Sequence, residues 1–283
     1  MTADTADRDR VDARTDVSAN ASPIYTLFDV EPTDALTREH VLRLAAGVAG
    51  AVHVRGFSTP EVCSTIMRAL AERPPLGTYD QRLIYPPIAK LGPAAYDFYA
   101  AHGLGEEYWI RAQEAVRARA TLLDGTDPMD YALDRIRSAW GGEVTYAASH
   151  GRPMFAGMIR EIANGAKLHF DEVTRESPGL LDATPASFLT LNWYLDMPEQ
   201  GGEVSVYRHR WRPTDERHRD NYGYLPAAVV DEPVATVQPA PGDAVLFDSR
   251  NLHSIAPIAG AGRRVSLSFF LGITGLGPLH VWS

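Results

Sequence analysis

The sequence is poor in cysteine and in positive charge, and each shortage excludes a class of protein. Cys63 is the single cysteine among 283 residues, which excludes an internal disulfide, a cysteine-rich zinc finger and an iron–sulfur cluster. The 27 Lys and Arg residues stand against 36 Asp and Glu residues, giving a net charge of −9. This charge argues against a general nucleic-acid-binding protein, and we expect no nucleic-acid partner.

Long apolar runs are also missing. No stretch of about 18 uninterrupted apolar residues, the length that crosses a membrane, occurs in the sequence. The first residues are polar and charged, whereas a signal peptide begins with basic residues followed by apolar ones. We therefore expect no membrane span, no signal peptide and a cytoplasmic protein.

Composition separates a tail from a globular part. Residues 1–22 contain almost no large apolar side chain and are predicted to form a disordered tail. Hydrophobic residues make up 45% of the whole chain, which is enough for a sizeable core. We expect the remaining residues, 23–283, to form a single domain, because no repeat or linker marks a second one.

Helical patterns dominate the first half of the chain. Thr37 can cap a first helix, although His40 stands where a complete capping box has Glu or Gln. Alternating apolar residues predict a strand over 51–57, and a helix follows it over 60–70. Two further amphipathic helices are predicted over 107–121 and 129–139. Between these pairs of helices, 72–95 is rich in Pro and Gly and is read as a loop with a short strand at 82–85.

Short strands divided by turn residues dominate the second half. The predicted strands cover 156–163, 167–170, 187–196, 203–207, 234–238, 244–248 and 264–271. Consecutive strands without intervening helices are typical of an antiparallel sandwich or jelly roll. The sequence therefore predicts a mainly β fold with N-terminal helices packed against one sheet.

Three residues of the second half have the chemistry of a metal site. His169 and Asp171 are two positions apart on a predicted strand, so their side chains project from the same face. His253 lies just past another predicted strand. Two imidazoles and one carboxylate form the facial triad of non-haem iron(II) oxygenases, which leaves coordination positions open for oxygen and a cosubstrate.

The residues after His253 strengthen this reading. Arg264 opens the last apolar strand and Ser266 follows it, and the planar guanidinium of arginine suits a carboxylate bound through two hydrogen bonds. With these residues in place, the second half resembles the iron(II)- and 2-oxoglutarate-dependent oxygenase superfamily. The resemblance implies that His169, Asp171 and His253 bind Fe(II). It implies equally that Arg264 binds the distal carboxylate of 2-oxoglutarate with help from Ser266, and that O2 is the oxidant.

The resemblance covers roughly 154–272, including the segments NGAKLHFD, LTLNWYLD and PGDAVLFDSRNLHSI. The segment 52–70 resembles the strand and helix that begin the prolyl-hydroxylase-like branch. The family implies a double-stranded β-helix (jelly roll) core flanked by helices. In this chain the helical part would cover about 23–150 and the jelly roll about 151–275, within one oxygenase domain.

Two branches of the superfamily fit less well. Halogenases carry Gly or Ala at the position of the carboxylate ligand so that chloride can bind the metal, whereas this chain has Asp171. Nucleic-acid demethylases carry a second arginine where this chain has Phe270. The resemblance therefore favours hydroxylation of a small molecule.

The substrate is predicted from charge. A free amino acid or derivative needs a positive and a negative group to offset the loss of water around its two charges. Arg82, Arg160 and Glu172 are the candidates that we expect to face the pocket. The insertion 208–230 begins with a dense basic run and is either a solvated surface loop or a lid over the site.

Other outcomes remain open from the sequence. The same metal chemistry supports desaturation or cyclisation, and a peptidyl hydroxylase of the prolyl type would act on a macromolecule. A jelly-roll binding protein without turnover is disfavoured because His169, Asp171, His253 and Arg264 are all present. The oligomeric state is left open.

Overall fold

The structure, a computed structural model, describes residues 28–74, 76–100, 103–274 and 277–283. The predicted tail at 1–22 lies outside these residues. The described part is mainly β with helices concentrated in the first half, as the sequence predicted. No helix in the described ranges is both long enough and apolar enough to span a membrane.

The α-helices within the described residues are, in chain order, α1 (Arg38–Ala45), α2 (Pro60–Ala71), α3 (Ala95–Phe98), α4 (Glu106–Arg119), α5 (Pro128–Trp140) and α6 (Val173–Glu176). Short 3-10 helices cover Pro213–His218 and Pro226–Val229. Predicted helices at 60–70, 107–121 and 129–139 correspond to α2, α4 and α5 to within a few residues.

The first strands belong to the N-terminal half: β1 (Val30–Thr33), β2 (Ala51–Val54), β3 (Gly77–Thr78), β4 (Ala89–Leu91), β5 (Tyr99–Ala100), β6 (Gly103–Leu104), β7 (Val144–Tyr146), β8 (Ala148–Ser149) and β9 (Arg152–Pro153). The later strands are β10 (Met158–Glu161), β11 (Ala166–His169), β12 (Ser187–Asp196), β13 (Gln200–Gly201), β14 (Val204–Arg210), β15 (Arg219–Asp220), β16 (Gly223–Tyr224), β17 (Val234–Val237), β18 (Ala244–Asp248), β19 (Asn251–Ile255), β20 (Ile258–Ala259), β21 (Val265–Ile273) and β22 (Leu279–Trp282).

Two large sheets contain most of these strands, and the pairs β5-β6, β8-β9 and β13-β20 form separate two-stranded sheets. The larger sheet has the order β1-β2-β18-β12-β21-β10-β4-β3, and β22 and β7 attach to it through β21. The smaller sheet has the order β15-β16-β11-β19-β14-β17. The long pair β12 and β21 runs antiparallel through the centre of the larger sheet.

Apolar side chains are buried on both faces of the larger sheet. On one face Leu191 and Leu267 pack with Leu44, Ile66 and Leu133 of the helices α1, α2 and α5. The inner face meets the smaller sheet in a second cluster, which contains Tyr194, Val206, Val237, Val245 and Phe247. The helices therefore cover the outside of the larger sheet and leave the space between the sheets for the site.

The cap of α1 is complete, contrary to the weaker signal in the sequence. The Thr37 hydroxyl accepts a hydrogen bond from the His40 backbone N–H, and His40 Nδ1 accepts one from the Thr37 N–H at 3.1 Å. An imidazole nitrogen thus does here what a Glu or Gln oxygen does in an ordinary capping box.

The predicted strand at 82–85 is wrong. These residues form turns between β3 and β4, and Asp80 organises them: its carboxylate accepts a hydrogen bond from the Arg82 backbone N–H at 2.9 Å, and its carbonyl accepts one from Leu83 at 2.9 Å. Pro86 and Pro87 follow and have no N–H to donate to a sheet. Hydrogen bonds to Asp80 therefore take the place of the hydrogen bonds to a neighbouring strand that a β-strand would form.

Candidate metal centre and cosubstrate site

The structure brings the three predicted metal ligands together between two strands of the smaller sheet. β11 and β19 pair so that His169 lies opposite His253, and the two ring centroids are 4.2 Å apart. Asp171 Oδ2 lies 3.9 Å from His169 Nε2 and 3.5 Å from His253 Nε2. All three potential ligand atoms fall within 4.8 Å of one another, so one ion can contact them together.

Backbone carbonyls fix the orientation of both imidazoles. Nδ1 of His169 lies 2.7 Å from the Lys167 carbonyl oxygen, and Nδ1 of His253 lies 2.9 Å from the Asn251 carbonyl oxygen. A carbonyl only accepts, so each Nδ1 carries the proton and donates it. This leaves the Nε2 lone pair of each ring facing Asp171, which is the arrangement that metal-binding histidines use.

The charges of the three ligands suit a divalent cation. Burial and, to a smaller extent, the neighbouring His253 lower the pKa of His169 to about 4, so the His169 ring is neutral near pH 7. Burial favours a higher pKa for Asp171, but interaction with His253 and the charges of His169 and Arg160 outweigh it and lower the pKa to about 2. A neutral imidazole beside an ionised carboxylate is a donor set typical of iron(II).

Ser249 positions the carboxylate ligand and was not identified from the sequence. The Asp171 backbone N–H donates to the Ser249 carbonyl at 2.9 Å, and the Ser249 hydroxyl donates to the Asp171 carbonyl at 2.9 Å. Ser249 is fully buried. It lies in the turn between β18 and β19, and a serine in a turn carries no sequence signal that distinguishes this contact from an ordinary one.

The metal ligands line a cavity between the two sheets. Its volume is about 180 Å³, which is larger than a cavity that holds benzene and far larger than the space of one water molecule. Mostly apolar side chains form its wall, and its acidic and basic side chains are His169, Asp171, His253, Arg160, Arg264 and Glu176. The cavity can therefore hold a cosubstrate and exclude most of the surrounding water.

Arg264 presents one unsatisfied donor to this cavity. Its side chain is only 1% exposed. Nε donates to the Gly202 carbonyl at 2.8 Å and Nη2 donates to the Tyr194 hydroxyl at 3.3 Å. Nη1 is buried and has no hydrogen-bond partner among the described residues. Burial lowers the pKa of Arg264, but arginine stays protonated, so an anion is required nearby.

Ser266 does not line the cavity itself but contacts a residue that does. It is fully buried, and its hydroxyl is 3.3 Å from the hydroxyl of Ser268, which does line the cavity. Arg264 immediately precedes β21, and Ser266 and Ser268 are alternate residues of that strand; Ser268 was not identified from the sequence.

Arg160, a substrate-binding candidate from the sequence, lies on β10 and lines the cavity. Its Nη2 donates to Asn192 Oδ1 at 3.2 Å, and its Nε is buried with no hydrogen-bond partner among the described residues. No described carboxylate forms an ion pair with its guanidinium, unlike the neighbouring Arg263, which pairs with Glu161 at 2.8 Å. Arg160 is thus a second cationic group in the cavity with capacity for an anion.

The structure does not place Arg82 or Glu172 in the cavity. The Arg82 side chain is 88% exposed and pairs with Asp80, two residues away. Glu172 precedes α6 and pairs with Arg175 at 3.0 Å, which directs its carboxylate away from the cavity. The expectation that Arg82 and Glu172 face the pocket is therefore corrected, and the acidic group on the cavity wall is Glu176.

The insertion 208–230 is anchored to the strand that carries His169. Its β16 pairs with β11 at Tyr224 and Leu168, and the Tyr222 hydroxyl accepts a hydrogen bond from the Lys167 backbone N–H at 2.8 Å. The Tyr222 ring also lines the cavity. Part of the insertion therefore forms a wall of the site. Within its basic run, His209 contacts Asp215 and Arg219 pairs with Glu216.

The His-Asp-His centre, the buried Arg264 and the mainly β fold define a 2-oxoglutarate-dependent non-haem iron dioxygenase. Residues 27–283 match the family described as carrier-protein-independent halogenase WelO5, and the chain belongs to this family.

Two curated proteins are similar to the chain in sequence. An L-gamma-glutamyl-L-propargylglycine hydroxylase of Streptantibioticus cattleyicolor is 39% identical over 262 residues, which cover 92% of this chain and 97% of that protein. The leucinostatins biosynthesis cluster protein S of Purpureocillium lilacinum is 26% identical over 202 residues, which cover 67% of this chain and 81% of that protein.

A solved structure supports the fold. The N-substituted L-amino acid dioxygenase of Burkholderia ambifaria AMMD superposes with a TM-score of 0.56 at 14% sequence identity. The superposition covers 88% of this chain and 92% of that chain. The likeness shows that the two proteins share a fold.

Proposed function

We propose that this protein hydroxylates an unactivated C–H bond of a small amino acid or amino acid derivative. In the balanced reaction, one oxygen atom of O2 enters the C–H bond to give the alcohol, and the other enters 2-oxoglutarate, which is released as succinate and CO2. The observation that carries the proposal is the carboxylate of Asp171 between the two histidines. In a family named for halogenases, this carboxylate occupies the position that a halide needs, and the 39% identical relative is a hydroxylase.

The strand order supports a jelly-roll core. Successive core strands β10, β11 and β12 alternate between the larger and the smaller sheet, β14 and β17 both lie in the smaller one, and β18, β19 and β21 alternate again. Two interleaved antiparallel sheets of this kind form a double-stranded β-helix. We propose that residues 23–283 form one oxygenase domain built on this core, with the N-terminal helices packed against the larger sheet.

The ligand atoms and the free hydrogen-bond donor of the site suggest a role for each residue. His169, Asp171 and His253 would hold Fe(II), and the unsatisfied Nη1 of Arg264 would bind the distal carboxylate of 2-oxoglutarate. Bound iron, 2-oxoglutarate and O2 together supply the oxidant. Ser266 supports this end of the cavity through its contact with Ser268.

The charge of Arg160 supports an acidic group on the substrate. Iron(II) and Arg264 together balance Asp171 and the two carboxylates of 2-oxoglutarate. The positive charge of Arg160 then remains without a described acidic partner in a cavity that is mostly apolar. A buried charge needs a partner to offset the cost of losing water, and a substrate carboxylate supplies it.

A small substrate also fits the enclosure of the site. Tyr222 of the insertion lines the cavity, whereas a peptidyl hydroxylase needs a groove open at both ends. The hydroxylase relative acts, by its name, on a γ-glutamyl dipeptide, which carries carboxylates and an ammonium group. We propose a substrate of the same size and charge for this protein, and a cytoplasmic location in keeping with its single, buried cysteine.

The proposal predicts substrate-stimulated succinate formation. The purified protein with Fe(II), 2-oxoglutarate and ascorbate would be given free L-amino acids, L-γ-glutamyl-L-propargylglycine and other γ-glutamyl dipeptides, and proline-containing peptides. We expect at least one amino acid or dipeptide to raise succinate production, with a product that has gained one oxygen atom by mass spectrometry.

The product distinguishes the alternatives. Loss of two hydrogen atoms would identify desaturation or cyclisation, and a chlorinated product in the presence of chloride would identify halogenation. Turnover of the proline-containing peptides alone would contradict a small-molecule substrate. Succinate formation that no member of the panel increases above the uncoupled rate would contradict the proposed substrate class.

Arg264→Lys is expected to raise the KM for 2-oxoglutarate by about 10- to 100-fold, because lysine cannot form two parallel hydrogen bonds to a carboxylate. The measurement is the dependence of succinate formation on 2-oxoglutarate concentration. Arg263→Lys is the matched control, since Arg263 is bound to Glu161 on the surface of the sheet and should leave this KM unchanged. The opposite ranking of the two variants would identify Arg263 as the cosubstrate residue.

A further inference from the structure

Glu176 is an acidic group on the cavity wall without a cationic partner. It ends α6, the short helix that follows Asp171, and its Oε2 accepts a hydrogen bond from the Glu172 backbone N–H at 2.8 Å. No described Lys, Arg or His forms an ion pair with it. The nearby bases are already paired: Arg175 binds Glu172 at 3.0 Å, and Arg219 binds another glutamate of the insertion at 3.0 Å.

The surroundings of Glu176 are unfavourable for a lone negative charge. Ala95, Val173 and Leu180 are among the apolar residues that line the same cavity. Glu176 is itself exposed, but desolvation by the atoms packed around it and the negative charge of Asp171 raise the pKa of its carboxyl group to about 8. Glu176 is exposed where it lines the cavity, so a ligand can reach its carboxyl group, and a positive group beside it would favour the ionised form.

The two unpaired charges of the cavity come from different walls. Arg160 belongs to β10 of the larger sheet, and Glu176 belongs to the segment that follows the ligand strand of the smaller sheet. Both line the cavity that contains the metal ligands. Together they leave one cationic group and one ionisable carboxyl group available to a ligand after the iron and 2-oxoglutarate charges are balanced.

We propose that Glu176 binds the ammonium group of the substrate, so that the substrate class is a zwitterion held by its amine at Glu176 and by a carboxylate at Arg160. This inference rests on the proposed function and specifies how that substrate is recognised. The ring of Tyr96 lines the cavity as well and offers an aromatic face that is compatible with a cation. A neutral or purely anionic substrate would leave Glu176 without a partner.

The test compares two ligands that differ in one amine. The probes are a γ-glutamyl dipeptide from the panel above and its glutaryl counterpart, in which hydrogen replaces the α-amino group of the glutamyl residue. Wild-type protein and Glu176→Gln are compared with each probe. Glutamine keeps the size of the side chain and an oxygen that accepts the Glu172 N–H, while it removes the negative charge.

Binding is measured by calorimetry on protein loaded with nickel and 2-oxoglutarate, and KM is measured on the iron enzyme. In the wild type we expect the dipeptide to bind about 10- to 100-fold more tightly than the glutaryl probe. Glu176→Gln should remove most of this preference by weakening dipeptide binding, while binding of the glutaryl probe and the KM for 2-oxoglutarate stay unchanged.

Glu172→Gln is the matched control, because Glu172 is the neighbouring glutamate that pairs with Arg175 outside the cavity. It should retain the preference for the amine. Equal weakening of both probes in Glu176→Gln would show a structural role and overturn the inference. A wild type that binds the two probes alike, or binds neither, would also overturn it, whereas the proposed function fails only if no panel member is oxidised.

Discussion

His253→Ala is expected to lose iron and to lower substrate-stimulated succinate formation by at least about 10³-fold. The reason is geometric. His253 supplies the only described imidazole on β19, and its removal leaves one imidazole and Asp171, which do not hold iron(II) in the facial arrangement. Iron content per protein after anaerobic loading and succinate formation are the two measurements.

The control for this variant is another histidine. His150 is exposed and adopts a left-handed backbone conformation with φ of 50°, which asparagine tolerates well, so His150→Asn should keep full iron content and activity. The ring of His253 also packs on Phe247, with centroids 4.8 Å apart, so the melting temperature of the metal-free variant is recorded to separate unfolding from loss of ligation. Wild-type iron-dependent turnover in His253→Ala would refute the ligand assignment.

Arg119→Met is expected to destabilise the protein by about 3–5 kcal/mol, because it leaves the partners of a buried charge without a counterion. Arg119 is 2% exposed; its Nε donates to Asp127 at 2.6 Å, and its Nη1 donates to the Ala156 carbonyl at 2.6 Å. It therefore joins α4 to the start of α5 and to the segment before β10. The measurement is the free energy of unfolding from urea titrations.

Arg111→Met on the same helix is the comparison. Arg111 is exposed and pairs only with surface glutamates, so this variant should lose less than about 1 kcal/mol. Adding Asp127→Leu to Arg119→Met removes the second charge as well and should recover part of the stability. An unfolding free energy for Arg119→Met within about 1 kcal/mol of the wild type would show that water or rearrangement satisfies Asp127.

The metal centre was predictable from sequence because its geometry is largely local. The spacing of His169 and Asp171 predicted a shared strand face, but β11 ends at His169 and Asp171 lies two residues beyond it; Arg264 is buried immediately before β21. His253 was predicted to be a ligand and was placed just past a strand. In the structure it lies inside β19, because Ser249 and Arg250 make the turn that separates β19 from β18.

The substrate residues were harder to predict because local partners decide where charged side chains point. Arg82 turns to Asp80, and Glu172 turns to Arg175, so neither is left for the cavity. Glu176 was missed because a helix of four residues has no periodicity to detect. Arg160 was found because the alternation of a strand fixes its direction.

The pairing of β16 with β11 links the enclosure of the cavity to the support of the strand that carries His169. β11, which carries His169, is not an edge strand of the smaller sheet. It pairs with β19 on one side and with β16 of the insertion on the other, through Tyr224, and the Tyr222 hydroxyl adds a further hydrogen bond. The segment that forms part of the substrate enclosure is therefore also part of the scaffold of an iron ligand. Grafting this loop from a relative to change selectivity would alter metal retention at the same time, so variation of the loop is constrained by the iron centre.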